Sequence, residues 1–85
     1  MKYVMGDLIS IETGKYVVIE TLNYENKNYV FVNKIINDDI TNEFYILELK
    51  ENGNVSIVVE DKLKNILMSK FEKILQKEII ELLGE

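Results

Sequence analysis

From about Leu63 to Leu83, apolar residues recur at three- and four-residue spacing with no proline or glycine between them. That spacing marks one uninterrupted amphipathic helix, and the rest of the chain must supply a surface for its apolar stripe. Leu63, Leu67, Phe71, Ile74 and Leu75 define the stripe. At about 100° per residue, Met68, Ile79 and Leu82 widen it, Glu78 falls inside it, and Ile66, Ile80 and Leu83 fall outside it. Asp61 stands where a carboxylate accepts the first free backbone N–H groups, and Gly84 is a natural stop. The helix is expected over about residues 62–83.

Residues from about 7 to 60 read as strands. Leu8 to Glu12, Tyr16 to Leu22, Asn28 to Ile36, Phe44 to Lys50 and Val55 to Val59 are rich in β-branched and aromatic residues and are separated by turn formers. Tyr24-Glu25-Asn26-Lys27 makes one turn, and Asn37-Asp38-Asp39 opens a polar loop that runs to Asn42. Asn52-Gly53 can supply the two positive-φ residues of a type I′ hairpin turn. Short connections order the strands as an antiparallel meander.

Tyr16-Val17-Val18-Ile19, Tyr29-Val30-Phe31-Val32 and Tyr45-Ile46-Leu47 put apolar groups on both faces. A half-solvated sheet would carry polar residues at alternate positions. Both faces are therefore covered: one by the helix, the other by curling of the sheet or by a second molecule. The expected fold is one α+β domain over residues 1–85, a curved antiparallel five-stranded β-meander (a partial barrel) packed against one long C-terminal α-helix.

Length adds a second expectation. The helix from Leu63 to Leu83 spans roughly 31 Å, whereas an ordinary strand spans roughly 17–20 Å. About two turns, Gln76 to Leu83, then project past the sheet, which makes Leu75, Glu78, Ile79, Ile80, Leu82 and Leu83 candidate interface residues. Either these turns cap the chain's own barrel or they meet a partner, a homodimer through the helix being the expected form. A glutamate inside an apolar stripe is costly to bury unpaired, so Glu78 could meet a lysine such as Lys77 of a second copy.

The net charge is −5, and residues 61–85 contribute five lysines and five acids to it. The whole imbalance therefore lies in residues 1–60, with Glu12, Glu20, Asp38, Asp39 and Glu43 as the candidate acidic surface. Such a face suits a basic protein partner, including a basic nucleic-acid-binding protein, and repels phosphate. Glu12 and Glu20 are expected to face each other across the first hairpin. With Asp7 so near the start no secretory leader is expected, and no apolar run approaches the ~20 residues of a membrane helix. A cytoplasmic setting without a membrane is expected.

Histidine and cysteine are absent, so the commonest general base, thiolate chemistry and soft-metal ligation are all missing. The glycines are isolated and form no phosphate cradle, and the Asp38–Asn42 stretch lacks the glycine and distant glutamate of a Ca²⁺ loop. No catalytic, cofactor or metal residues are assigned. Tyr16, Tyr24, Tyr29 and Tyr45 are the candidate base-stacking residues of an SH3- or OB-like nucleic-acid-binding module, against which stand the acidic sheet and the absence of arginine.

Ile9 to Leu75 resembles the DUF1292-type family of small bacterial proteins of unknown function. The resemblance lies in the hairpin Thr21-Leu22-Asn23-Tyr24-Glu25-Asn26-Lys27-Asn28-Tyr29-Val30, the acidic Asp38-Asp39, two strands around Asn52-Gly53, and the acidic-to-helical close at Val59-Glu60-Asp61. The family's C-terminal segment is typically acidic; here it is neutral, longer and apolar. The resemblance implies a source among low-GC Gram-positive bacteria or their mobile elements, and it carries over no catalytic or binding residues. The functional expectation is a non-catalytic protein-interaction module, in concrete form a phage- or mobile-element-encoded, anti-CRISPR-like inhibitor that binds a host protein through acidic and apolar surface. A monomeric housekeeping accessory domain is the alternative.

Overall fold

The computed structural model describes residues 3–83, with side chains as far as Ile80. Five strands, β1 (Leu8–Ile11), β2 (Gly14–Tyr24), β3 (Lys27–Ile36), β4 (Asp39–Leu49) and β5 (Val55–Ile57), precede one helix, α1 (Asp61–Leu83). Each strand pairs antiparallel with its chain neighbours in the order β1-β2-β3-β4-β5. The α+β meander with a single C-terminal helix is as the sequence leads one to expect.

The double-sided apolar strands have a direct consequence: the sheet carries a core on each face. The inner core holds Ile9, Tyr16, Val18, Val30, Val32 and Leu47, with Ile11 of β1 and Val55 and Ile57 of β5 packed on the same cluster. Both edge strands therefore close on one interior, as in a half-barrel. The outer core holds Tyr29, Phe31, Ile46 and Val58 of the sheet region against Leu67 and Phe71 of α1, both fully buried. Phe71 stacks on Phe31 with ring centroids 5.4 Å apart.

The turns differ from expectation. Glu25 and Asn26 (φ 51° and 65°) and Asn37 and Asp38 (φ 52° and 66°) are the residue pairs that adopt the left-handed angles of type I′ turns. Since Asn37-Asp38 is a complete turn, Asp39 already pairs with Ile36, and the expected polar loop is strand from Asp39 to Asn42. Its polar residues support an irregularity in the β3–β4 ladder. Asn33 Nδ2 donates to the Thr41 carbonyl at 2.9 Å, and Thr41 Oγ1 donates to the Lys34 carbonyl at 2.7 Å.

At the last hairpin only Gly53 takes a positive φ, 89°. Asn52 instead uses its side-chain oxygen to accept the Asn54 N–H at 3.0 Å, while the Gly53 N–H reaches the Lys50 carbonyl at 3.0 Å. This is a three-residue loop with its last residue left-handed, not a type I′ turn. Gly14 is required for another reason. With φ at 146°, a β-carbon there would also come within 3.1 Å of the Lys34 side chain.

The helix begins one residue early. The Glu60 carbonyl accepts from the Lys64 N–H at 2.9 Å, so Asp61 lies in the first turn rather than at the cap. There its charge still complements the helix dipole. β5 stops at Ile57, two residues short of the expected end, although the Val58 N–H still reaches the Ile46 carbonyl at 2.9 Å.

That last bond sets the course of the helix. Ile46 pairs with Phe31, so Val58 lies in the same cross-strand row as the ring on which Phe71 stacks. The path from Asp61 to Phe71 is about 15 Å of helix. Val58 before the helix and Phe71 within it lie over one cross-strand row, which has the axis cross the strands rather than follow them. β2 and β4 are 11 residues each, longer than assumed from sequence. The overhang therefore comes from crossing. Phe71 lies above β3, and the roughly 18 Å of helix beyond it exceeds the roughly 10 Å that two further strands occupy.

Candidate interaction surface

The pairing register aligns Leu8 of β1, Val17 of β2, Asn33 of β3 and Phe44 of β4 in one row. All four lie on the outer face, because Ile9, Tyr16, Val18 and Val32 beside them point to the inner core. A second row on the same face sets exposed Lys15 beside Ile35 and Ile40. The helix covers the rows of Phe31 and Tyr29 and leaves these two bare. Leu8 is 59% exposed, Phe44 51% and Ile40 66%. Phe44 stacks on Phe31 at 5.4 Å with the rings 10° from parallel, so Phe44, Phe31 and Phe71 join the bare strip to the outer core.

The projecting helix forms a wall of this strip. Lys70 Nζ stands 5.1 Å from the centre of the Tyr24 ring, so that side of the helix looks toward the β2–β3 turn. Nine residues at about 100° each turn through about half a revolution, which puts Ile79 on the opposite side, facing the Leu8–Phe44 row. The same arithmetic from Phe71 puts Ile80 on the back of the helix, away from the sheet. Both are exposed, Ile79 54% and Ile80 66%, and by this rotation Ile79 is the one turned to the side of the strip.

The other sequence-derived interface residues separate. Leu75 packs on the outer core. Glu78 is half-buried and is engaged by an interaction of its own. The side chains of Leu82 and Leu83 lie outside the described residues. Of the acidic set, Asp38 and Asp39 stand exposed at the β3–β4 turn, at the end of the strip. Glu43 is exposed, and its carboxylate accepts the Tyr45 hydroxyl at 3.0 Å, which holds that phenol above its ordinary pKa.

Glu12 and Glu20 do not face each other. Glu12 belongs to the two-residue β1–β2 turn, whereas Glu20 lies beyond the start of β1 and opposes Phe31. Ile19 is left over between Val18 and Glu20 at a β-bulge, which turns both Ile19 and Glu20 toward the helix side. Glu20 Oε1 accepts the Thr21 N–H at 3.1 Å, and Oε2 is buried without a protein partner.

The tyrosines considered for base stacking are mostly structural. Tyr16 and Tyr29 are buried, and Tyr16 bonds the Thr13 hydroxyl at 2.7 Å and meets Tyr45 edge-on at 5.7 Å. Among the described residues no cluster of acidic side chains has the arrangement of a metal site, and no helix is long and apolar enough to cross a membrane. No protein-family model matches the chain, and neither a curated protein nor a solved structure matches it.

Proposed function

We propose that this chain is a non-catalytic protein-interaction module that binds a basic protein along the strip between the β3–β4 hairpin and the projecting helix. The supporting observation is the row Leu8–Val17–Asn33–Phe44, in which two large apolar residues are more than half exposed on the face that the helix otherwise covers. Exposed apolar residues gathered beside a polar rim are the usual mark of a binding surface. The partner's sign follows from charge. The whole −5 belongs to the sheet region that carries the strip, and Asp38 and Asp39 stand at its end. Like charge opposes self-docking there and attracts a basic partner. A small inhibitor that occupies a basic host site is the concrete form of this reading.

Affinity capture with three baits tests it: the protein itself, Leu8→Gln combined with Ile79→Gln, and Ile80→Gln. A basic protein that is held by the first and third baits, released by salt and missing from the second is the expected result. Equal capture by all three, or none, overturns the reading. So does light scattering that shows a dimer which the Leu8/Ile79 variant dissociates, because the occupant would then be a second copy.

A further inference from the structure

We propose that the seam between the two edge strands, β1 and β5, receives an extended segment of a partner protein as a sixth strand that closes the half-barrel. The seam opens onto the inner core and shares Leu8, at the end of the outer strip, with that surface. One cleft of about 730 Å³ is lined by Leu8, Ile9, Ser10 and Ile11 on one bank and Val55, Ser56 and Ile57 on the other, with Tyr3, which packs on the inner core, beside them. Among the described residues no backbone hydrogen bond crosses it.

Three observations identify the occupant. The first is backbone polarity. Val18 N–H reaches the Asp7 carbonyl, and Ile9 and Ile11 oppose Tyr16 and Gly14 across the two-residue turn, so the backbone groups of Leu8 and Ser10 point away from β2. Lys50 N–H reaches Asn54, and Val58 N–H reaches Ile46, so the groups of Val55 and Ile57 point away from β4. Donors and acceptors without a strand partner on both banks fit an extended segment better than a side chain or a small molecule.

The second is direction. In a five-stranded antiparallel meander the first and last strands run the same way. One added strand can therefore run antiparallel to both, so a single segment completes the ladder.

The third is the chemistry of the banks. β1 reads Leu-Ile-Ser-Ile and β5 reads Val-Ser-Ile, with no lysine, proline or bulge. Those are among the devices by which free edges avoid pairing, which leaves shortness, at four and three residues, as the one these edges use. Ile9, Ile11, Val55 and Ile57 face inward, while Ser10 and Ser56 face out. An incoming segment thus fits with apolar side chains alternating inward and small polar ones outward. No strand of a second copy supplies it, since each already has a neighbour on at least one side, whereas the occupant needs both edges free.

The test uses a synthetic peptide of alternating valine and threonine with a lysine at each end. It is added to the intact protein at about 1 mM, enough to register a millimolar dissociation constant, and amide hydrogen exchange is read residue by residue. Slowed exchange at Leu8, Ser10, Val55 and Ile57 is expected. The same peptide N-methylated at alternate residues should bind about tenfold or more weakly, having lost its ladder donors. Ser10→Pro, which removes an N–H that β2 does not use, should weaken the unmodified peptide and leave urea stability near that of the parent. Absence of protection at those four amides overturns the proposal. Protection confined to the outer strip, or equal binding of the N-methylated peptide, does so too.

Discussion

Glu25 holds a left-handed backbone at φ 51° in the β2–β3 turn, a conformation that costs an L-residue with an ordinary side chain about 1–2 kcal/mol. Asparagine visits that region readily, so Glu25→Asn is expected to stabilise the protein by about 0.5–1 kcal/mol, read as a higher urea midpoint at unchanged slope. Tyr29 makes a different prediction. Burial, with Glu48, Glu25 and Tyr24 adding to it, raises its phenol above the ordinary 10.0. Above pH 10 the unfolded chain releases this proton while the folded chain keeps it, so its contribution to stability is complete below about pH 10 and falls as the pH rises further. Urea midpoints measured from pH 9 upward should decline less steeply in Tyr29→Phe than in the parent protein. Neither effect announces itself in the sequence. Glu25 is not a turn former, and the burial of Tyr29 depends on a helix more than thirty residues away.

At the scale of elements, α1 is held by a few rings and branched side chains. Phe71 is fully buried and stacked on Phe31, which in turn carries Phe44. Phe71→Ala should cost about 3–5 kcal/mol, a large fraction of what a chain of this size holds in reserve. Loss of the cooperative thermal transition in that variant would agree; a shift of only a degree or two would show that the helix is dispensable. The stripe that makes this contact was legible because helical periodicity needs only sequence spacing. Strand ends were less legible. Asn37 and Asp38 look like the start of a loop by residue type, yet their tolerance of left-handed angles closes the hairpin at once and lengthens β4 back to Asp39. Asn52 could have done the same beside Gly53, but its side chain took the Asn54 N–H instead.

Across the whole molecule, the helix is expected to do two things: its first half completes the outer core, and its second half borders a surface that the fold does not use. An overhang was expected from helix length against ordinary strands, a reason that the 11-residue β2 and β4 remove. The strip beside it was not, because its register depends on two irregularities, at Ile19 and at Lys34, that no residue type signals. Nor does sequence spacing separate Ile79 from Ile80; that took the crossing angle fixed by the Val58–Ile46 bond and the side chosen by Lys70 over Tyr24. The central claim is that Leu8 and Ile79 serve a partner and not the fold. Equilibrium urea unfolding of the Leu8→Gln, Ile79→Gln double variant tests this most directly. If the strip is spare surface, the stability stays within about 0.5 kcal/mol of the parent protein. A loss of about 2 kcal/mol or more would show that these side chains hold the domain, or an obligate dimer of it, together, and would contradict the account.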